Sequence, residues 1–168
     1  IHVPISVNVA GNEIIRPNYF DQFKALLEEE GVPNEMIELE ITESQFIKEK
    51  GTINKHLSVL KTLGVRVNID DFGTGYSSLA YLSTLSVSTI KIDHSFVWRM
   101  EESEKDWQIL KMIIELGNSL GLNVIAEGIE TEQQKEHLLA LGCGDGQGYL
   151  FAKPMSLEDT INWIQSGL

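Results

Sequence analysis

The chain has a single cysteine, Cys143, among its 168 residues, so no internal disulfide can staple it and a reducing compartment is the simpler setting. Positive charge is scarce: 13 basic residues stand against 25 acidic ones, a formal net charge of −12. That balance excludes broad electrostatic binding to a nucleic acid polymer. A polyanionic small ligand needs help, and a divalent cation held by the acidic residues themselves would reverse the local field. No stretch approaches the roughly 18 consecutive apolar residues of a membrane span, and the N-terminus lacks a charged-then-apolar leader pattern. We therefore expect a soluble, cytoplasmic domain that makes no membrane contact of its own, although a parent protein could be tethered. Low-complexity tracts and linkers are missing too, and a 42% hydrophobic content is enough for one sizeable core.

What is present is an alternation of short β-branched runs with longer amphipathic segments, the pattern of an α/β fold. Strands are expected at Ile5 to Val9, Ile37 to Ile41, Val65 to Ile69, Thr89 to Ile92 and Asn123 to Ala126, with a weaker one near Gly146 to Leu150. Apolar residues recur at helical spacing at Phe20, Phe23 and Leu27, at Ile53, Leu57 and Leu60, and at Ile109, Ile113, Leu116 and Leu120. Thr131 followed by Glu132 and Gln133 opens another helix, and Leu157, Ile161 and Ile164 mark a last one. Strands that are apolar on both faces suit a parallel sheet covered by helices.

Each expected strand carries a polar residue near its C-terminal end: Asn8, Glu40, Asp70 with Asp71, Lys91, Glu127 and Gln147. In parallel α/β folds those ends share one face, so the six positions converge. Any one of them alone reads more readily as a cap for the next helix, but six together do not. Four carboxylates and an amide oxygen at one spot repel unless cations neutralise them, and an all-oxygen set suits magnesium, manganese or calcium. Zinc is disfavoured because His2, His56, His94 and His137 show no ligand spacing. Alternation along a strand points Asp70 and Asp71 in different directions, so that Asp70 could bridge two cations while Asp71 holds one. Gly73 and Gly75 permit a tight turn, and Ser77 or Ser78 can cap a helix starting near Leu79. An ordinary turn is the alternative for this stretch.

The motifs "SVNVAGNEI", "IELEITES", "NIDDFGTGYSSLAYL", "TIKIDHSFV", "VIAEGIET" and "GQGYLFAKP" run in order from about Asn8 to Pro154 and resemble the EAL-domain family of cyclic di-GMP phosphodiesterases. The resemblance implies a TIM-type (β/α) barrel and hydrolysis of cyclic di-GMP to the linear dinucleotide pGpG with two divalent cations, magnesium or manganese, calcium being inhibitory. It implies that Asn8, Glu40 and Asp70 hold a first metal, and that Asp70, Asp71 and Glu127 hold a second. Lys91 resembles the lysine that contacts the attacking water, Glu127 a general base, and Gln147 the amide lining the water site. Glu43 resembles a residue that steadies the loop after Asp71, with Asp93 and Glu130 as supporting acids. Glu43 and Glu130 could instead be acids at helix N-termini, and Asp93 a cap for a helix at Ser95. The family's Glu-Ala-Leu segment, with its metal-ligating glutamate and substrate-contacting arginine, lies upstream of the asparagine strand, and Ile1 stands seven residues before Asn8. With about six βα units where a full barrel takes about 250 residues, we expect one EAL-type domain over residues 1–168, truncated at its N-terminus and weakly active or inactive alone. A non-catalytic receptor or regulatory module is the competing reading. The resemblance further implies a homodimer through the helix after the "DDFGTGYSS" loop, around Leu79 to Leu85, and sensory modules in the parent protein.

Overall fold

The computed structural model describes residues 3–48, 52–75 and 82–166. Six strands form one sheet: β1 (Ile5–Asn8), β2 (Ile37–Thr42), β3 (Arg66–Phe72), β4 (Thr89–Ile92), β5 (Asn123–Ala126) and β6 (Asp145–Gly146). They lie side by side in chain order, every neighbouring pair parallel. Around them run α1 (Gly11–Ile14), α2 (Tyr19–Glu29), α3 (Glu43–Lys48), α4 (Thr52–Thr62), α5 (His94–Arg99), α6 (Glu104–Ser119), α7 (Glu132–Ala140) and α8 (Leu157–Gln165). Among the described residues β1 and β6 each pair on one side only, so the sheet is an incomplete (β/α) barrel.

The period of two along each strand separates two environments. Leu39 and Ile41 of β2, Val67 and Ile69 of β3, Ile90 and Ile92 of β4, and Val124 and Ala126 of β5 all join the core, which Leu57 and Leu60 of α4 and Leu110 and Ile114 of α6 complete. Each such Leu, Ile or Val side chain contributes about 1.5–3 kcal/mol by leaving water. Close approach of α6 depends on Gly117, where a Cβ would lie 2.4 Å from Val124 Cγ2. The intervening residues Glu40, Asn68, Asp70, Thr89 and Lys91 face the other, concave side, and that side is polar although Glu40, Asn68, Thr89 and Lys91 are buried.

The starts of α6, α7 and α8 are set by polar side chains. Ser103 accepts from the Asp106 amide, Ser156 from the Asp159 amide, and Thr131 and Gln134 form a capping box.

Two expected boundaries are corrected. The third strand does not stop at Ile69 but runs through both aspartates to Phe72, whose ring is buried and whose backbone pairs with Ile92. The last strand is only Asp145–Gly146, because the chain then turns: Gly148 packs directly on the backbone of Ile129, and Phe151 and Ala152 donate back to the Gly148 carbonyl. The proposed caps Ser77 and Ser78, the segment Leu79 to Tyr81, and His2 lie outside the described residues.

Candidate metal centre and adjoining cavity

The parallel register carries the polar positions to one mouth of the sheet. Asn8 stands opposite Glu40, and Thr42 opposite Asp70. Between β3 and β4 the ladder slips: Ile69 pairs with Ile90 but Phe72 with Ile92, so Asp70 and Asp71 together face Lys91. This is a β-bulge, and Asp71 takes the left-handed backbone conformation at φ 52°. Aspartate tolerates that region better than most residues. The bulge cancels the strand alternation that would send adjacent side chains to opposite faces, correcting the expectation that the two aspartates diverge. One carboxylate oxygen each from Asp70, Asp71 and Glu127 lies within 4.8 Å of the other two.

Lys91 supplies a positive charge in the middle of this group. Its Nζ is 2.9 Å from Glu40, 3.1 Å from Asp70 and 2.7 Å from Glu127, with only 5% of the side chain exposed. Burial alone would disfavour the ammonium, but hydrogen bonds to Glu127 and Glu40 outweigh it and raise the Lys91 pKa. Gln147 donates from Nε2 to Glu127 Oε1 at 2.7 Å. Burial pushes the Glu127 carboxyl above its usual range despite the opposing effect of Lys91. Burial also raises Asp71, with the charges of Asp70 and Asp93 adding to the effect. The site thus carries more negative charge than its own lysine neutralises.

Glu43, the first residue of α3, is buried and accepts from the amides of Gly73 at 2.8 Å and Gly75 at 3.1 Å, tying α3 to the loop that follows β3. Asp93 is buried, caps α5 by accepting from the Ser95 amide at 3.0 Å, and lies 3.1 Å from His94 Nδ1. Glu130 is exposed; its backbone amide donates to Gln134 as part of the cap of α7. Asn8 is exposed on β1, the open edge of the sheet, in register with Glu40. The structure therefore gathers Glu40, Asp70, Asp71, Lys91, Glu127 and Gln147 directly, with Glu43 and Asp93 behind them. Asn8 and Glu130 lie at the margins.

A cavity of about 720 Å³ opens beside Glu127 and Gln147. Its walls include His94, Trp98, Tyr149 and Trp163, and Glu130 lies on its rim. Trp98 Nε1 donates to the Gly128 carbonyl at 3.1 Å, and the His94 ring packs edge-on against Trp98. These cavity residues carried no signal in the sequence: a lone histidine and scattered tryptophans have no spacing that marks a site.

A cluster of oxygen donors with excess negative charge, half-buried at the C-terminal mouth of a parallel sheet, suits hard divalent cations. Among barrel-type α/β proteins, that mouth is where active sites are built. A family model described as EAL domain matches residues 1–154, and the chain belongs to that family. It is 39% identical over 158 residues to the bifunctional diguanylate cyclase/cyclic di-GMP phosphodiesterase MucR of Pseudomonas aeruginosa, covering 94% of this chain and 23% of that protein. The solved PaMucR phosphodiesterase in complex with c-di-GMP superposes with a TM-score of 0.89 at 37% identity, over 94% of this chain and 64% of that one. The EAL domain of Mycobacterium smegmatis DcpA gives 0.91 at 36% identity, over 98% and 74% respectively. BlrP1 of Klebsiella pneumoniae, in its manganese/cy-diGMP complex, gives 0.83 at 28% identity, over 90% and 39%. The chain spans between 20% and 28% of the length of the curated relatives it matches.

Proposed function

We propose that this chain is the catalytic portion of a divalent-metal-dependent phosphodiesterase that hydrolyses cyclic di-GMP to linear pGpG. The observation that carries the reading is the carboxylate cluster of Asp70, Asp71 and Glu127 wrapped around Lys91 at the mouth of the sheet. The c-di-GMP in the MucR structure and the cy-diGMP in the BlrP1 structures support the substrate. BlrP1's manganese and calcium complexes support a divalent ion. Asn8, Glu40 and Asp70 would hold one cation, and Asp70, Asp71 and Glu127 the other, magnesium or manganese serving catalysis and calcium inhibiting it. Bound there, such ions supply a water of lowered pKa and stabilise negative charge on the phosphoryl group.

The chain's own residues do the rest. Glu127, with its raised pKa, is suited to take a proton from the attacking water, while Gln147, hydrogen-bonded to its Oε1, fixes the carboxylate's orientation. Lys91 presents a point charge to the phosphoryl oxygens. The water oxygen bonds to phosphorus as its proton passes to Glu127, the P–O3′ bond breaks, and the departing O3′ takes a proton from solvent, leaving a 5′-phosphate and a 3′-hydroxyl. Glu43 holds the loop after Asp71, and Asp93 and Glu130 act as supporting acids.

Asn8 favours a second reading. It sits exposed on an open edge, so the first ligand set is less gathered than the second, as a module that binds cyclic di-GMP without cutting it would allow. Incubation with cyclic di-GMP and manganese or magnesium, followed by chromatography for pGpG, decides. Turnover abolished by Asp70→Ala supports the hydrolase; binding of the dinucleotide with no turnover by the chain or by an upstream-extended version supports the receptor. Sensory modules in the parent protein, and a homodimer through the helix after the "DDFGTGYSS" loop, complete the proposal. Leu82 is buried and Leu85 packs on the core of its own chain, so any such contact falls to other residues of that segment.

A further inference from the structure

The turn that carries Glu127 is fastened from two directions. On the sheet side, the Glu127 amide donates to the Ile92 carbonyl at 3.1 Å and the Ile129 amide to the Gln147 carbonyl at 3.1 Å. Between those two ties lies Gly128 at φ 72°, a conformation that glycine enters freely and keeps only where its surroundings hold it. The other fastening comes from α5. His94 and Trp98 stand one helical turn apart and share a face, their rings meeting edge-on with centroids 4.5 Å apart. The Trp98 indole N–H donates to the Gly128 carbonyl at 3.1 Å, and a Cβ at position 128 would stand 2.5 Å from the Cβ of His94.

The same helix starts beside the other half of an ion pair. Lys91, whose Nζ is 2.7 Å from Glu127, is followed two residues later by Asp93, which caps α5 through the Ser95 amide at 3.0 Å. One short helix thus leaves the strand of Lys91 and lands on the turn of Glu127. We propose that Trp98 is a positioning residue for Glu127: its indole N–H, backed by the His94 packing, pins the Gly128 turn so that the Glu127 carboxylate stays aimed between Lys91 and Gln147. The proposal rests on the reading that Glu127 takes the proton of the attacking water. Trp98 is 47% exposed, so without its N–H the Gly128 carbonyl takes water instead and is not stranded. What is lost is the aim of the turn, not the fold. A base displaced from its line of proton transfer costs rate more than substrate affinity.

Trp98→Phe keeps an aromatic ring against His94 and in the cavity wall but removes the donor. With cyclic di-GMP and Mn2+, in the chain or its upstream-extended form, kcat is expected to fall at least about fivefold while KM stays within about twofold. The Ile129 amide is expected to exchange at least about threefold faster in the variant, with the melting temperature within about 3 °C of its parent, as for a surface substitution. Unchanged kcat, or unchanged exchange at Ile129, overturns the proposal and leaves the hydrolase reading standing. A rise in KM alone makes Trp98 only a wall of the cavity and overturns it too. So does a fall in kcat that comes with a large drop in melting temperature or with faster exchange throughout the sheet, since the role is then structural. Binding of cyclic di-GMP without turnover by the unsubstituted chain and by its extended form removes the hydrolase reading and the proposal with it.

Discussion

At the scale of single residues, Asp71 holds the most costly position in the site. It adopts a left-handed backbone, stands beside Asp70, and has a carboxyl pushed up by burial and by two neighbouring negative charges. An acid whose pKa is higher folded than unfolded binds protons more readily in the folded state. Stability therefore falls as pH rises from the ordinary carboxylate range, near 4, through the raised folded values of Asp71 and Glu127, and levels off above them. Lys91 works the other way: its raised pKa is a stabilising contribution that is complete at neutral pH and lost only in strong alkali. Asp71→Asn keeps a side chain that suits positive φ and removes one repelling charge. We expect it to raise the melting temperature of the metal-free chain at pH 7 by a few degrees, to flatten the decline in stability between pH 4 and 7, and to weaken Mn2+ binding. Melts across that pH range in chelator check this, and a variant less stable than its parent at pH 7 counts against it. The sequence made the polar position of each strand readable because strand ends in a parallel sheet must share a face. It did not show the bulge, since Asp-Asp-Phe reads as simple alternation until the neighbouring strand fixes the register. Nor did it show that Lys91 makes three ion pairs, which depends on distances across three strands.

At the scale of elements, the long periodic helices and the first five strands were legible from their patterns, whereas the short helices α3 and α5 showed only through the polar residues at their starts, Glu43 and the cap Asp93. Helices α1, α3 and α5 have four to six residues, too few for a period of 3.6 to repeat. Yet α3 and α5 carry the supports of the site. The N-terminus of α3 places Glu43 against two loop amides, and α5 sets Trp98 on the carbonyl of Gly128, the residue after Glu127. Glu43→Ala would leave the Gly73 and Gly75 amides without that acceptor, at about 1–3 kcal/mol each where they are shielded from water. The expected result is faster hydrogen exchange at those two amides and a fall of about tenfold or more in kcat/KM, with Glu43→Gln recovering part of both because one acceptor oxygen remains. Unchanged exchange at Gly73 and Gly75 would remove Glu43 from this role. The two-residue β6 was overread for a related reason: Gly-Tyr-Leu-Phe looks like a strand, but Gly148 lets the backbone dive against Ile129, where a Cβ would lie 2.1 Å from the Ile129 carbonyl oxygen.

At the scale of the whole molecule, apolar surface is concentrated along the two lips of the open sheet. On one side Val3, Ile5 and Val7 of the β1 segment are exposed; on the other, Tyr149, Phe151, Met155, Leu157 and Ile161 of the segment running into α8 are exposed. The five apolar residues of the second lip belong to an amphipathic helix and its approach, and two of them, Tyr149 and Met155, also line the cavity beside Glu127. An unpaired strand edge flanked by such a patch is a surface built to be covered. Further strands laid on β1 would pair its free amides and carbonyls, bury both lips, and enclose Asn8, which now stands in water beside Glu40. The proposed metal ligand set and the stability of the fold are therefore coupled through the same edge. A polypeptide extended upstream of Ile1 is expected to show slowed hydrogen exchange at the β1 amides from Ile5 to Asn8, a higher melting temperature, and tighter Mn2+ binding than the 168-residue chain. Its turnover of cyclic di-GMP should rise by at least about tenfold, because Asn8 then faces an enclosed cation site rather than solvent, and Asn8→Ala should matter far more in the extended protein than in the short one. An extension that protects the β1 amides yet leaves metal affinity unchanged would separate closure of the fold from completion of the site.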